Sequence, residues 1–233
     1  MRFKIQLSGT DKPLPIEHHH IVIRYIHRVL GKDNVYHDAK NDYSISSLIG
    51  GKLIPNTKNI SFKKGGYIII SSQNQNFLND IMMNFYTTEF YGDIKVTGVE
   101  FIQEQFNNGW NHFAVLPPGF IIKDYKNKKE YGFHTLNDEN FETIVKNYLI
   151  KKLFKIDPTL NLSDFDVRIV KHDKHKVNKV MIKNVKNIAN LCHISIHTNK
   201  KVAEILYHIG IGQSTGCGFG VIYKTENGPL YRN

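Results

Sequence analysis

Gly210-Ile211-Gly212-Gln213-Ser214-Thr215-Gly216-Cys217-Gly218-Phe219-Gly220 places five glycines in eleven residues and contains no acidic side chain. Upstream, Val202, Ile205, Leu206 and Ile209 recur at helical spacing. Downstream, Phe219, Val221 and Tyr223 alternate as strand residues do. The unit therefore reads helix, glycine loop, strand. That order reverses the strand-loop-helix of nucleotide fingerprints, in which phosphate meets a helix N-terminus. No Gly-Lys-Ser/Thr accompanies it, so a nucleotide-binding regulatory module is the minor reading. Two others stay in view: a tight turn beside a strand, and a loop that offers backbone N–H groups to a polyanion. The glycine density and the missing acids favour the polyanion.

Working outward, the spacing predicts a strand over 1–8, with Phe3, Ile5 and Leu7 on one face and Arg2, Lys4 and Gln6 on the other. A helix follows over 18–30, ended by Gly31. Strands are expected over 43–49 and 59–71, a helix over 75–87 and a strand over 94–104. The first hundred residues thus read β-α-β-β-α-β, the ferredoxin-like unit that also underlies the RNA-recognition module. The second half repeats the plan: a strand over 112–122 broken at Pro117-Pro118-Gly119, a helix over 139–154, strands over 165–171, 177–183 and 190–198, a helix over 200–209, and a final strand. The expected fold class is α+β, two tandem ferredoxin-like (RRM-like, βαββαβ) modules at 1–111 and 112–233.

Composition narrows the partners. The 233 residues carry a formal charge of +10, which calls for a polyanion, nucleic acid or an anionic surface. No apolar run reaches the roughly 18 residues of a membrane span, and the amino terminus lacks the apolar core of a signal peptide. Cys192 and Cys217 are the only cysteines and form no CxxC. A disulfide framework and a structural zinc site are therefore not expected, and a reducing cytoplasm fits. Lysines concentrate at Lys171, Lys174, Lys176, Lys179, Lys183 and Lys186, with a smaller group at Lys123, Lys126, Lys128 and Lys129. Such clusters attract phosphate with little sequence preference; they also occur as plain solvated faces. Phe120, Tyr125, Tyr131 and Phe133 lie close by, either as stacking platforms for single-stranded RNA or as core.

The twelve histidines bring proton-transfer chemistry into view. His18-His19-His20 reads as the solvated start of the first helix, because adjacent side chains diverge and do not gather on one metal. His27, late in that helix, and His37, shortly after it, are different. Two imidazoles and a lysine suit RNA cleavage without a metal. One imidazole takes the 2′-hydroxyl proton, the other protonates the departing 5′-oxygen, and a cation steadies the phosphorane. Histidine suits both steps because its ordinary pKa, about 6.5, permits either proton state near neutrality.

Gly210–Gly220 with Val221-Ile222 matches, without a gap, the G-h-G-x5-G-h-G-h-h ending of the Cas6 family of CRISPR-associated endoribonucleases, in the RAMP superfamily. Met1-Arg2-Phe3-Lys4-Ile5-Gln6-Leu7 and Tyr36-His37-Asp38-Ala39-Lys40 also resemble family segments, and the likeness spans the chain. The resemblance implies cleavage of CRISPR precursor RNA within its repeats, with no metal or cofactor, leaving a 2′,3′-cyclic phosphate and a 5′-hydroxyl. It implies His37 as general base, His27 as its partner on the first helix and Lys40 as the cation, although Lys40 lies closer to His37 than is usual in the family. RNA binding is then expected from Gly210, Gly212, Gln213, Ser214, Thr215, Gly216, Gly218 and Gly220, and from Lys171, Lys174, Lys176 and Lys179. Attachment to an effector complex and homodimerisation are both compatible with the resemblance. A non-catalytic RAMP subunit that binds repeat RNA is the principal alternative.

Overall fold

A computed structural model describes residues 1–31, 34–36, 42–125, 131–170, 175–182 and 185–226, the side chains of Tyr125 and Tyr131 excepted. In chain order the elements are β1 (Arg2–Leu7), β2 (Leu14–Pro15), α1 (His19–Leu30), β3 (Tyr43–Ile45), β4 (Lys52–Leu53), β5 (Asn59–Ser61), β6 (Gly66–Ser72), α2 (Gln75–Asn84) and β7 (Val96–Ile102). The second half supplies β8 (Gly109–Val115), β9 (Ile122–Tyr125), β10 (Tyr131–His134), α3 (Phe141–Ile156), β11 (Asp166–Val170), β12 (Lys176–Ile182), β13 (Val185–Leu191), β14 (His193–Thr198), α4 (Lys200–Ile209) and β15 (Ile222–Lys224).

Two four-stranded antiparallel sheets organise the chain, ordered β3-β6-β1-β7 and β11-β14-β8-β15. Each places its second strand beside its third, then its first, then its fourth. That shared order, with two helices on one face, is the ferredoxin-like plan. The chain is thus two ferredoxin-like modules in tandem. In the first, Phe3, Ile5, Ile68 and Ile70 from the sheet pack with Val22, Tyr25, Phe77 and Ile81 from α1 and α2. In the second, Phe113, Val115, Ile194 and Ile196 pack with Val145, Leu149, Val202 and Leu206 from α3 and α4.

Some expectations change. The span 59–71 is two strands, because Gly65 turns at φ 81° between β5 and β6. The strand expected over 190–198 is the end of one strand and the whole of the next. β13 pairs with β12 as a long hairpin, whereas β14 returns to the main sheet, and buried Cys192 stands between them. The short β9–β10 hairpin was not visible in the pattern. Phe120 is wholly buried and belongs to the core rather than to a stacking surface. His18 and His19 are buried, not solvated, and only His20 is half-exposed. Arg2, on the polar face of β1, is also buried.

Candidate nucleic-acid interface

The glycine loop begins where α4 ends, and the end of α4 explains its shape. The last four carbonyls of a helix have no partner within it. Here each finds one. Gly210 N donates to Leu206 O at 2.9 Å. Arg2 Nη2 donates to Tyr207 O at 2.6 Å. Ser44 and Ser71 hydroxyls donate to His208 O at 3.1 and 2.9 Å. Lys152 Nζ donates to Ile209 O at 3.3 Å and continues to Gly210 O and Gly212 O at 2.9 and 3.1 Å. Arg2, Ser44 and Ser71 come from the first module and Lys152 from the second. A buried guanidinium and a half-buried lysine at the negative end of a helix also match its dipole. Burial pulls the Lys152 pKa down to about 7.

Within the loop the backbone is largely committed. Ile211 N donates to Gly220 O, Gln213 N to Ile121 O and Gly220 N to Gly119 O, at 2.8, 2.8 and 2.9 Å. Thr215 Oγ1 donates to Tyr43 O at 2.8 Å, and Gly218 bridges in parallel to Ser46. Gly212 sits at φ 73°, and a Cβ there would lie 2.6 Å from Ile121 O. Gly210, Gly212, Thr215, Gly218 and Gly220 are buried, whereas Gln213, Ser214 and Gly216 are half-exposed. The loop is therefore a brace between the modules with a small accessible crest. On that crest Gln213 Nε2 donates to Lys123 O at 2.9 Å, while its buried Oε1 has no partner among the described residues.

Beside this brace lies a cavity of about 470 Å³. The first turn of α1 with His18 and His19, the segment 47–51, Phe62, Pro117-Pro118 and Asn178 to Met181 of β12 line it. Asn178 Nδ2 donates to Pro118 O at 2.9 Å, fastening the β12–β13 hairpin over the opening. His18 places its two ring nitrogens 3.2 and 3.3 Å from Pro15 O and Leu48 O. Burial lowers its pKa against these carbonyls, which favour the charged form. His19 lies between the His18 and Phe219 rings, centroids at 5.5 and 5.9 Å. Neither of its ring nitrogens has a partner among the described residues, and burial drives its pKa down to about 4. A Cβ on Gly218 would come within 2.9 Å of the His19 ring, so that glycine makes room for the imidazole.

The expected catalytic and basic residues are placed unevenly. His27 is half-buried in the last turn of α1. His37, Lys40, Lys171 and Lys174 lie outside the described residues. The flanks of the His37–Lys40 stretch are fixed: Tyr36 OH donates to Asp80 Oδ2 at 2.8 Å, and Asp42 O accepts from Ser72 Oγ at 2.9 Å. Lys176 and Lys179 are both exposed on β12. Lys179 lies in the stretch of β12 that lines the cavity, and Lys176 precedes that stretch. Sequence reasoning missed Arg2, Lys152, His19 and Asn178. The one advance signal was a basic residue opening an otherwise well-patterned first strand.

A family model described as CRISPR associated protein Cas6, C-terminal, matches residues 102–223, just over half of the chain. Among solved structures, the product of a Cas6-related gene from Pyrococcus furiosus superposes with a TM-score of 0.80 at 18% identity, covering 97% of this chain and 99% of that one. A RAMP protein described as binding different RNA substrates gives 0.80 at 19%, covering 97% and 100%. A Thermus thermophilus Cas6 gives 0.62 at 11%, covering 96% and 97%. At these identities the superpositions speak of fold alone. No curated protein matches the sequence at a significant level. The family match over the glycine loop and second module, on a fold shared with Cas6 structures along nearly its whole length, means that the chain belongs to the Cas6 family of CRISPR-associated proteins.

Proposed function

We propose that this protein is a metal-independent endoribonuclease that cuts CRISPR precursor RNA within its repeats. His37 takes the proton of the 2′-hydroxyl next to the scissile phosphate. The 2′-oxygen attacks phosphorus, the bond to the 5′-oxygen breaks, and His27 protonates that leaving oxygen. The products are a 2′,3′-cyclic phosphate and a 5′-hydroxyl. Lys40 offsets charge on the phosphorane. RNA is held by the loop crest at Gln213, Ser214 and Gly216 and by the lysines of the β12–β13 hairpin. One observation carries this reading: α1 lines the inter-module cavity with its first turn and bears His27 in its last. Eight residues separate His19 from His27, about 12 Å along the helix axis, so RNA entering the cavity mouth runs within a few nucleotides of an imidazole. Membership in the Cas6 family supports the substrate class, and a Cas6 fold neighbour described as a product complex is consistent with it.

The test is incubation of a repeat RNA with the protein in EDTA, beside a control carrying a 2′-deoxy sugar at the scissile position. Cleavage that survives EDTA and disappears with the 2′-deoxy control is the expected result. Tight binding with no cleavage points instead to a non-catalytic RNA-binding subunit. His37→Ala should slow cleavage by about 10²–10⁴-fold with affinity unchanged. A fully active His37→Ala protein overturns the assignment of the base.

A further inference from the structure

The second sheet has one face packed on α3 and α4, and its other face is paved with planar side chains. The register sets them in rows. Trp110 of β8 lies opposite His197 of β14, and His197 opposite Asp166 of β11. In the next row His112, Ser195 and Arg168 are aligned, and Tyr223 of β15 flanks Ala114 in the third. Arg168 and Tyr223 are exposed, and Trp110, His112 and His197 are half-exposed. The small side chains of Ala114 and Ser195 keep the middle of the face low. The Arg168 guanidinium lies 4.4 Å from the centroid of the Trp110 ring, which meets His197 edge-on at 5.2 Å. His112 Nδ1 is 2.8 Å from Ser195 Oγ. Asp166, the acid of the grid, is engaged by Lys146 at 3.0 Å. Arg168 has no carboxylate within ion-pair distance among the described residues. Where the Trp110–His197 row ends, a cavity of about 300 Å³ opens, lined by His197, Asn108, Asn161 and Asn199 among others.

We propose that this face is a second RNA site, a stacking platform for a single-stranded segment, separate from the cavity beside the glycine loop. Every nucleobase has a π-face, so stacking on aromatic and guanidinium planes tolerates sequence. Arg168 adds the charge that a phosphate backbone needs, in a chain of formal charge +10. Rows along a strand are about 7 Å apart, a spacing that suits splayed rather than helically stacked bases. The cavity at the end of the row, edged with amides, then receives one base edge-on. Paired RNA does not fit this chemistry, because its bases are stacked on one another. The inference does not depend on whether the protein cleaves RNA.

Trp110 is the only tryptophan of the chain, so its emission reports on this face directly. The full-length protein is titrated with a fluorescein-labelled twelve-residue oligouridylate, following anisotropy of the RNA and emission of Trp110 in parallel. The expected result is quenching of Trp110 that tracks the anisotropy, with a duplex of equal length failing to quench. Arg168→Ala and Trp110→Ala should each weaken binding about tenfold or more, the range of one lost stacking partner. Circular dichroism verifies that both variants remain folded, and Arg168→Ala, at an exposed position, keeps the test valid if Trp110→Ala does not. Binding seen by anisotropy with Trp110 emission unchanged overturns the proposal, as does absence of binding. Quenching that follows protein concentration without RNA assigns the face to a second copy of the chain and also overturns it. Repeat-RNA cleavage is measured separately, so its failure and the failure of the platform are told apart.

Discussion

His19 is a neutral imidazole held in a place that gives it no hydrogen-bond partner among the described residues. Its ring is packed between His18 and Phe219, and no described residue bonds either of its nitrogens. Such a group stabilises the fold only while uncharged. Its pKa falls from the usual 6.5 to about 4 in the fold. The unfolded chain therefore binds more protons between these values, and stability is complete above pH 6.5 and is lost as pH falls toward 4. His208, with Gln73 Nε2 2.9 Å from its Nδ1 and a pKa pulled to about 3, adds to the same acid loss. For His19 the loss is on the order of 3 kcal/mol. His19→Phe keeps a planar ring on Phe219 and removes the titration. Its urea midpoint should change less between pH 7.5 and 4.5 than that of the natural protein. Equal slopes would show that His19 does not titrate in its buried place. The three consecutive histidines could not reveal this in advance. Polarity alone assigns them to solvent, and only the return of Phe219 and the segment 47–51 over the start of α1 buries two of them.

At the level of elements, α4 is the joint of the molecule. Its amphipathic spacing and the glycine after Ile209 were legible, because a helix with one apolar stripe announces itself by period, whereas its Asn199 cap came only with the structure. The first sheet was readable as alternating segments and the second less clearly, and their repeated order gave the tandem plan. Alternation says which face a side chain takes, however, not what lies over that face. Arg2 occupies the polar face of β1 and is buried because the end of α4 and β15 sit on it. It donates to Tyr207 O and Ile222 O at 2.6 Å each, and its guanidinium lies 3.5 Å from the centroid of the Tyr207 ring. Arg2→Met keeps the length of the side chain and strands two buried carbonyls. The expected cost is about 3 kcal/mol, each orphaned acceptor contributing roughly 1–3. A shift in urea midpoint with unchanged m-value would establish it, since m reports the surface exposed on unfolding. An Arg2→Met protein as stable as the original would mean that the joint does not depend on this residue.

At the scale of the whole molecule, two modules of identical strand order are braced at α4 and the glycine loop, and the brace leaves a cavity beside it. The β12–β13 hairpin lines that cavity with Asn178 to Met181, Lys179 among them, and Lys176 precedes that stretch. Their positions along one strand make the pair a built-in control for where RNA runs. A lysine that contacts phosphate releases a counterion on binding, so its loss lowers the salt slope of log K by about 0.7 for single-stranded RNA. Lys179→Ala should weaken repeat-RNA binding and take that step out of the slope measured by anisotropy between 50 and 200 mM salt, roughly the range in which such slopes are read. Lys176→Ala should change affinity less, through the general field of a +10 chain, and leave the slope near its original value. Both positions are exposed, so neither change threatens the fold. A reversal, with Lys176 carrying the slope, would put the RNA at the start of β12 and away from the cavity.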